Sequence, residues 1–293
     1  MQLLTETLRA WEALGLKEGL KAIREAGFDG VDFSFYGGAA PYLCGEDYKE
    51  KARETGRLLA EYGLTAPQAH APFEFCCGMT WQESCREYAM IRRSIEAAGL
   101  LGIDHITVHG VATPAPVDSE EQLDYNYRWY KQWEPLAADC GVKLAVENLQ
   151  AAFTSPALWT EILQRLDSPQ FVGLVDVGHC WVRGGLQPGE FIRRLPKGSV
   201  KGLHIQDTHN AGADEHLLPY GADVDFDDLC AALAETEYDG DFSFEAVGFL
   251  RTYGKRGLIR PALTFTAAVG RKLMADIEEQ KRALAEAAGR SRK

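Results

Sequence analysis

With 293 residues, 46% hydrophobic and 25% charged side chains, the chain can bury a sizeable core, as one α/β barrel or as two average domains. A formal net charge of −12 weighs against holding nucleic acid on a broad basic surface, and the lack of an 18-residue apolar run weighs against a spanning helix. Seven cysteines with no regular framework and no charged-then-apolar leader after Met1 lead us to expect a reduced, cytoplasmic protein.

In chain order, the opening MQLLTET predicts a short first strand. LKEGLKAIREAG has a helical pattern stopped by Gly27 and leads to strand DGVDFSF. The alternation then continues as helix 47–62 and strand 65–70, helix 82–101 and strand 104–109, and helix 120–140 and strand 142–147. It closes with helix 155–166 and strand 171–176, helix 187–195 and strand 199–205, and helix 225–236 and strand 241–245. Eight strands separated by helices predict parallel pairing with the helices outside: a single (β/α)8 TIM barrel over residues 1–293. AGFDGVDFSF at 26–35 is echoed by EYDGDFSFE at 237–245, as repetition of one unit requires. The competing doubly wound sheet would show a glycine fingerprint after its first strand, and there is none. From Pro261 to Lys293 runs one long helical pattern, apolar then charged, expected to close the barrel and continue into solvent or onto another subunit.

The chemistry gathers where strands end. His70, His109, Glu147, Asp176, His204 and Glu245 fall at successive strand ends, with gaps of 39, 38, 29, 28 and 41 residues. In a parallel barrel these ends form the rim on which active sites are built. Glu147, Asp176, His204 and Glu245 come from four consecutive strands. Three carboxylates so close repel one another unless a cation lies between them. Three oxygen donors and an imidazole suit one divalent ion: Mn, Mg, Co or Zn. His70 and His109 are placed to contact substrate or move protons, Asp207 and His216 to contact substrate, and Trp181, Phe73 and Phe75 to wall the pocket. His105, at the start of its strand, reads as structural. Cys76, Cys77 and Cys180 read as small apolar residues of the rim loops, because no C-x-x-C spacing supports a soft-metal site.

The ordered motifs AVEN at 145–148, VDVGH at 175–179, LHIQD at 203–207 and FEA at 244–246 resemble the xylose isomerase-like barrels. That group holds sugar and sugar-phosphate isomerases, ketose 3-epimerases and inosose dehydratases, with the apurinic endonucleases as a distant branch. The resemblance covers essentially the whole chain and implies that Glu147, Asp176, His204 and Glu245 hold the metal while His179 contacts substrate. It implies an isomerase or epimerase acting on a carbohydrate, with Glu147 and Glu245 as the proton-transfer pair. A dehydratase or lyase acting on a keto-sugar is the nearest alternative.

Two positions depart from the ketose 3-epimerases, which carry a second glutamate and an arginine where this chain has Phe153 and Asn210. A different pull comes from Asp214 and His216. With His70, His109, Glu147, Asp176, His179, His204 and Glu245 they resemble the nine-ligand trinuclear zinc set of the apurinic endonucleases, although the endonuclease pattern LDTCH is here VDVGH. A non-catalytic binding barrel is a third reading. A small carbohydrate, neither nucleic acid nor membrane, is the expected partner.

Overall fold

The computed structural model describes every residue except 44, 74, 76, 77, 150–152, 211 and 291–293, so Cys76 and Cys77 lie outside the described residues. The first half of the chain runs β1 (Leu3–Glu6), α1 (Leu8–Leu14), α2 (Leu16–Ala26), β2 (Gly30–Ser34), a 3-10 turn (Gly37–Leu43), α3 (Tyr48–Tyr62), β3 (Thr65–His70), α4 (Trp81–Leu101) and β4 (His105–Thr107). Next come α5 (Glu120–Lys131), α6 (Glu134–Cys140), β5 (Lys143–Glu147), α7 (Pro156–Leu166), β6 (Phe171–Asp176), α8 (Val177–Val182) and α9 (Pro188–Arg193). The chain finishes with β7 (Val200–Ile205), α10 (Phe226–Glu235), β8 (Phe242–Phe244), α11 (Val247–Gly254) and α12 (Ile259–Arg290).

The strands form a closed barrel in sequence order, β1 through β8, with every pairing parallel and β8 returning to β1. Both faces of each strand are covered, so runs such as β2 and the end of β5 are buried without alternation. Several helices begin and end where the sequence signals them. Ser119, Ser155 and Asp225 cap α5, α7 and α10 through their side chains, and Thr80 and Glu83 form a reciprocal capping box on α4. Gly27 stops α2 at φ 103°, a left-handed conformation that costs glycine no steric clash.

The expected helix 120–140 is two helices. Pro135 has no N–H to donate, so the first helix ends and a second starts with the proline in its opening turn. Three helices had no sequence reading: α1, α8 and α11. β4 is shorter than expected, which puts His109 in the loop after the strand.

α12 covers the seam between the first and last strands. Leu263, Ala267, Leu273 and Ile277 are buried along it, while the residues beyond are mostly exposed. Gly270 permits this approach: a Cβ there would lie 2.5 Å from the Leu3 side chain and 2.6 Å from the Phe244 ring. No helix among the described residues is long and apolar enough to cross a membrane.

Candidate metal centre

At the C-terminal mouth of the barrel is a cleft of about 360 Å³, lined by Arg9, Tyr36, His70, Phe73, Phe75, His109, Glu147, His179, Asp214, His216 and Glu245, among others. Asp176 and His204 are fully buried and close to these groups. Three donor sets form: His70, His109 and Glu147; Glu147, Asp176, His204 and Glu245; and His179, Asp214 and His216. Within each set the ligand atoms lie within 4.8 Å of one another. Glu147 belongs to two sets. Its Oε2 is 3.0 Å from His109 Nε2, and its Oε1 is 3.1 Å from His204 Nδ1 and 3.4 Å from His179 Nδ1.

Backbone architecture aims each donor. Asp176 ends β6 and caps the short α8, accepting the His179 N–H at 2.7 Å, so one turn of helix returns His179 to the cleft. Asn148 clamps the same strand end, accepting the Asp176 N–H at 2.7 Å and donating to the Asp176 carbonyl at 3.0 Å. The His109 loop hangs from α5. Trp129 Nε1 donates to the His109 carbonyl and Tyr130 Oη to the Val108 carbonyl, both at 2.9 Å.

The ring nitrogens that face away from the donor sets have partners of their own. His70 Nδ1 lies 2.7 Å from the Ala71 carbonyl, His216 Nδ1 2.9 Å from the Glu245 carbonyl, and His204 Nε2 3.1 Å from Asp32 Oδ2. Such contacts fix the ring so that the other nitrogen can bind a cation. Asp32 was missed in the sequence, although an acid inside the apolar strand GVDFS is itself a signal. It is held by Gln68 at 2.5 Å and Ser243 at 3.3 Å, and Gln68 Oε1 is 3.1 Å from His105 Nε2. His105 therefore sits in a buried network beneath the rim.

The charges tell which groups want a cation. Burial pushes the Glu245 carboxyl up to about 7, helped by Glu147 and Asp176, despite His204 and His216. Burial raises Asp176 as well, with Glu147 and Asp214 adding to it. For Glu147 burial is outweighed by His204 and His109, which hold it well below the usual carboxylate range. Burial would keep His204 neutral, but Glu245 and Glu147 hold it protonated well above its ordinary value. Glu147 Oε2, His179 Nδ1 and Glu245 Oε2 are buried without a well-aligned hydrogen bond, even where another ring or carboxylate is near. Buried polar atoms left so are costly, and a divalent cation satisfies oxygen and imidazole donors together. The donor chemistry fits a divalent metal.

Two expected substrate contacts lie elsewhere. Asp207 is fully buried and faces its own loop, accepting backbone N–H groups from Thr208, Ala222 and Val224 at 2.8 to 3.0 Å, so it ties the loop instead of lining the cleft. Trp181 packs against the core and is not among the cleft residues. Phe73 and Phe75 do line it, and His209 is exposed, 2.7 Å from Glu215. Arg9 and Tyr36 had no sequence reading; Tyr36 Oη lies 3.5 Å from Glu245 Oε1.

Glu6, at the end of β1, is a further buried acid. Burial pushes its carboxyl from 4.5 up to about 8, although Arg9 opposes the shift and its backbone N–H donates to Glu6 Oε2 at 3.1 Å. A carboxyl raised in the folded state costs nothing below its unfolded value. The cost grows as pH climbs from about 4.5 to about 8. Glu6→Gln removes that titration. Thermal unfolding with EDTA present should show the parent losing stability relative to the variant across this window, and parallel curves would mean Glu6 ionises freely.

The sequence pattern of the xylose isomerase-like TIM barrel family matches residues 20–266, and the chain belongs to that family. It is 26% identical over 269 residues to the uncharacterised protein y4fM of Sinorhizobium fredii, covering 82% of this chain and 83% of that one. It is 28% identical over 185 residues to the uncharacterised protein MJ1311 of Methanocaldococcus jannaschii, covering 60% of this chain and 62% of that one. A solved D-tagatose 3-epimerase-like protein superposes with a TM-score of 0.72 at 23% identity, covering 97% of this chain and 100% of its own, which is a likeness of fold.

Proposed function

We propose that the protein is a divalent-metal-dependent isomerase or epimerase of a sugar or sugar derivative. The observation that carries this is the convergence of Glu147, Asp176, His204 and Glu245 from the ends of β5 to β8, with both glutamates also lining the cleft. These four would hold the cation, which supplies Lewis acidity to the neighbouring oxygens of a hydroxy-ketone. Glu147 and Glu245 come from strands three apart in the ring and approach the sugar from different sides. One removes the proton next to the carbonyl, leaving an enediolate. If the other returns it to the same carbon on the opposite face, the result is an epimer; return to the neighbouring carbon gives an isomer. His70, His109, His179 and His216 orient the hydroxyls, and Tyr36, Phe73 and Phe75 limit access of water. The solved relative named as 3-epimerase-like supports the reaction type. Phe153 is fully buried in the core and Asn210 is exposed, so neither supplies the substrate contact that ketose 3-epimerases have there.

The protein loaded with Mn²⁺ is incubated with candidate keto-sugars in D₂O. Deuterium on carbon in the recovered sugar is the expected result. Loss of water or of a substituent instead would make the enzyme a lyase on the same site, and unchanged sugar throughout would sink the proposal.

A second reading is favoured by one observation: all three donor sets are complete, as a trinuclear zinc phosphodiesterase of the apurinic-endonuclease kind would need. Against it, Arg9 is the only lysine or arginine among the described residues lining the cleft, little for a polyanionic backbone. Metal analysis separates the two, since roughly three tightly held zinc ions per chain would favour phosphodiester hydrolysis.

A further inference from the structure

Beside the cleft is a second cavity of about 370 Å³, and the two share Arg9, Tyr36 and Phe73 as walls. From these walls and their charges we infer that the second cavity is a subsite for an apolar, ring-sized group carried by the substrate. The substrate is then a sugar derivative bearing an aryl or comparable substituent, not a free ketose. This inference rests on the reading of the cleft as a sugar site.

Beyond the shared walls the cavity is lined chiefly by Leu8, Ala40, Pro41, Pro72 and Met90. Arg86 and Glu87 also line it, and the contiguous apolar side chains are what a binding pocket offers to a hydrophobic substituent. Phe73 stands at the junction. Its ring lies 5.0 Å from Tyr36, 5.4 Å from His70 and 5.0 Å from His109, yet the residue remains 42% exposed. An aromatic face left open between a sugar cleft and an apolar cavity is covered when one ligand spans both.

Charge decides against a phosphate as the occupant. Arg9 Nη1 is paired with Glu12 at 2.6 Å, and the other cation in the cavity, Arg86, shares the lining with the buried acid Glu87. An acid beside each arginine opposes the approach of a dianion, which would need charge-assisted donors.

The test uses the Mn²⁺-loaded full chain and five probes: D-fructose, its benzyl ethers at O1 and O6, D-fructose 6-phosphate, and benzyl alcohol. Calorimetry should show one benzyl ether binding at least about tenfold tighter than D-fructose, the gain expected for burying most of a ring. Ala40 lines only the second cavity, so Ala40→Phe should abolish that gain while D-fructose binding stays unchanged. Ala40→Leu is the milder variant should the larger side chain impair folding, and it should reduce the gain. A larger gain from the phosphate, or no gain from either ether while D-fructose binds, overturns the subsite. Saturation-transfer NMR with benzyl alcohol reads the cavity without the sugar. If benzyl alcohol binds and Ala40→Phe displaces it while no sugar probe binds, the apolar site stands and the sugar reading of the cleft fails. Binding of benzyl alcohol that Ala40→Phe leaves unchanged overturns the assignment of this cavity.

Discussion

Glu147→Gln should lower kcat/KM by about 10³-fold, within the range that a positioned acid or base contributes, and leave the barrel folded. The substitution keeps the side chain's size and one oxygen but removes the charge that faces His109, His179 and His204 together. Two donor sets lose their common member, so bound metal should fall with activity. Stability of the metal-free protein should fall, because the buried charge held by His204 and His109 is lost, while the hydrophobic layers below the rim keep the fold. Circular dichroism, elemental analysis and kinetics on one preparation check all three expectations. Full activity with a full metal complement would mean that Glu147 is a structural cap and that proton transfer belongs elsewhere.

Metal affinity should rise steeply with pH. Burial disfavours charge on His179 and His216, but Asp176 and Asp214 prevail at the first and Asp214 and Glu245 at the second, raising them to about 10 and about 9. Without a cation these rings hold protons at neutral pH, and His204 does the same. Each proton must leave before its nitrogen can bind metal. Affinity should therefore climb by about tenfold per pH unit for every proton released, from pH 6 to 9. His70 is the contrast: burial and the neighbouring His109 push it down to about 3, so it is already neutral and releases nothing. Titration calorimetry in buffers of different ionisation enthalpy counts the protons. Identical heats in every buffer would show that neither His204 nor the His179, Asp214 and His216 set gives up a proton to bind metal.

The barrel could be read in the sequence because each unit repeats one signal: helix, glycine stop, apolar strand, polar residue at the end. The short helix α8 escaped because VGHCWV is apolar all round and follows its strand without a turn. The candidate metal donors were legible as polar residues at the ends of apolar runs. Asp207 shares that signal, but backbone N–H groups of Thr208, Ala222 and Val224 hold its carboxyl toward the loop. Asp214, seven residues later, reaches the cleft by the same loop, 2.9 Å from His179 Nε2. Arg9 and Tyr36 enter from α1 and from the turn after β2, where no local pattern says which way a side chain faces.

The seam closed by α12 has a consequence for how the chain must fold as it is made. β1 finds one neighbour at once in β2, but its other edge waits for β8, with the Gln2 N–H bonding to Asp241 across 239 positions of sequence. Until residues near Ile277 have left the ribosome, Leu3 and Phe244 lack the helix that packs over them. The nascent chain therefore carries an open sheet with two unpaired edges through most of its synthesis, the condition under which chaperone capture and edge-to-edge association compete with closure.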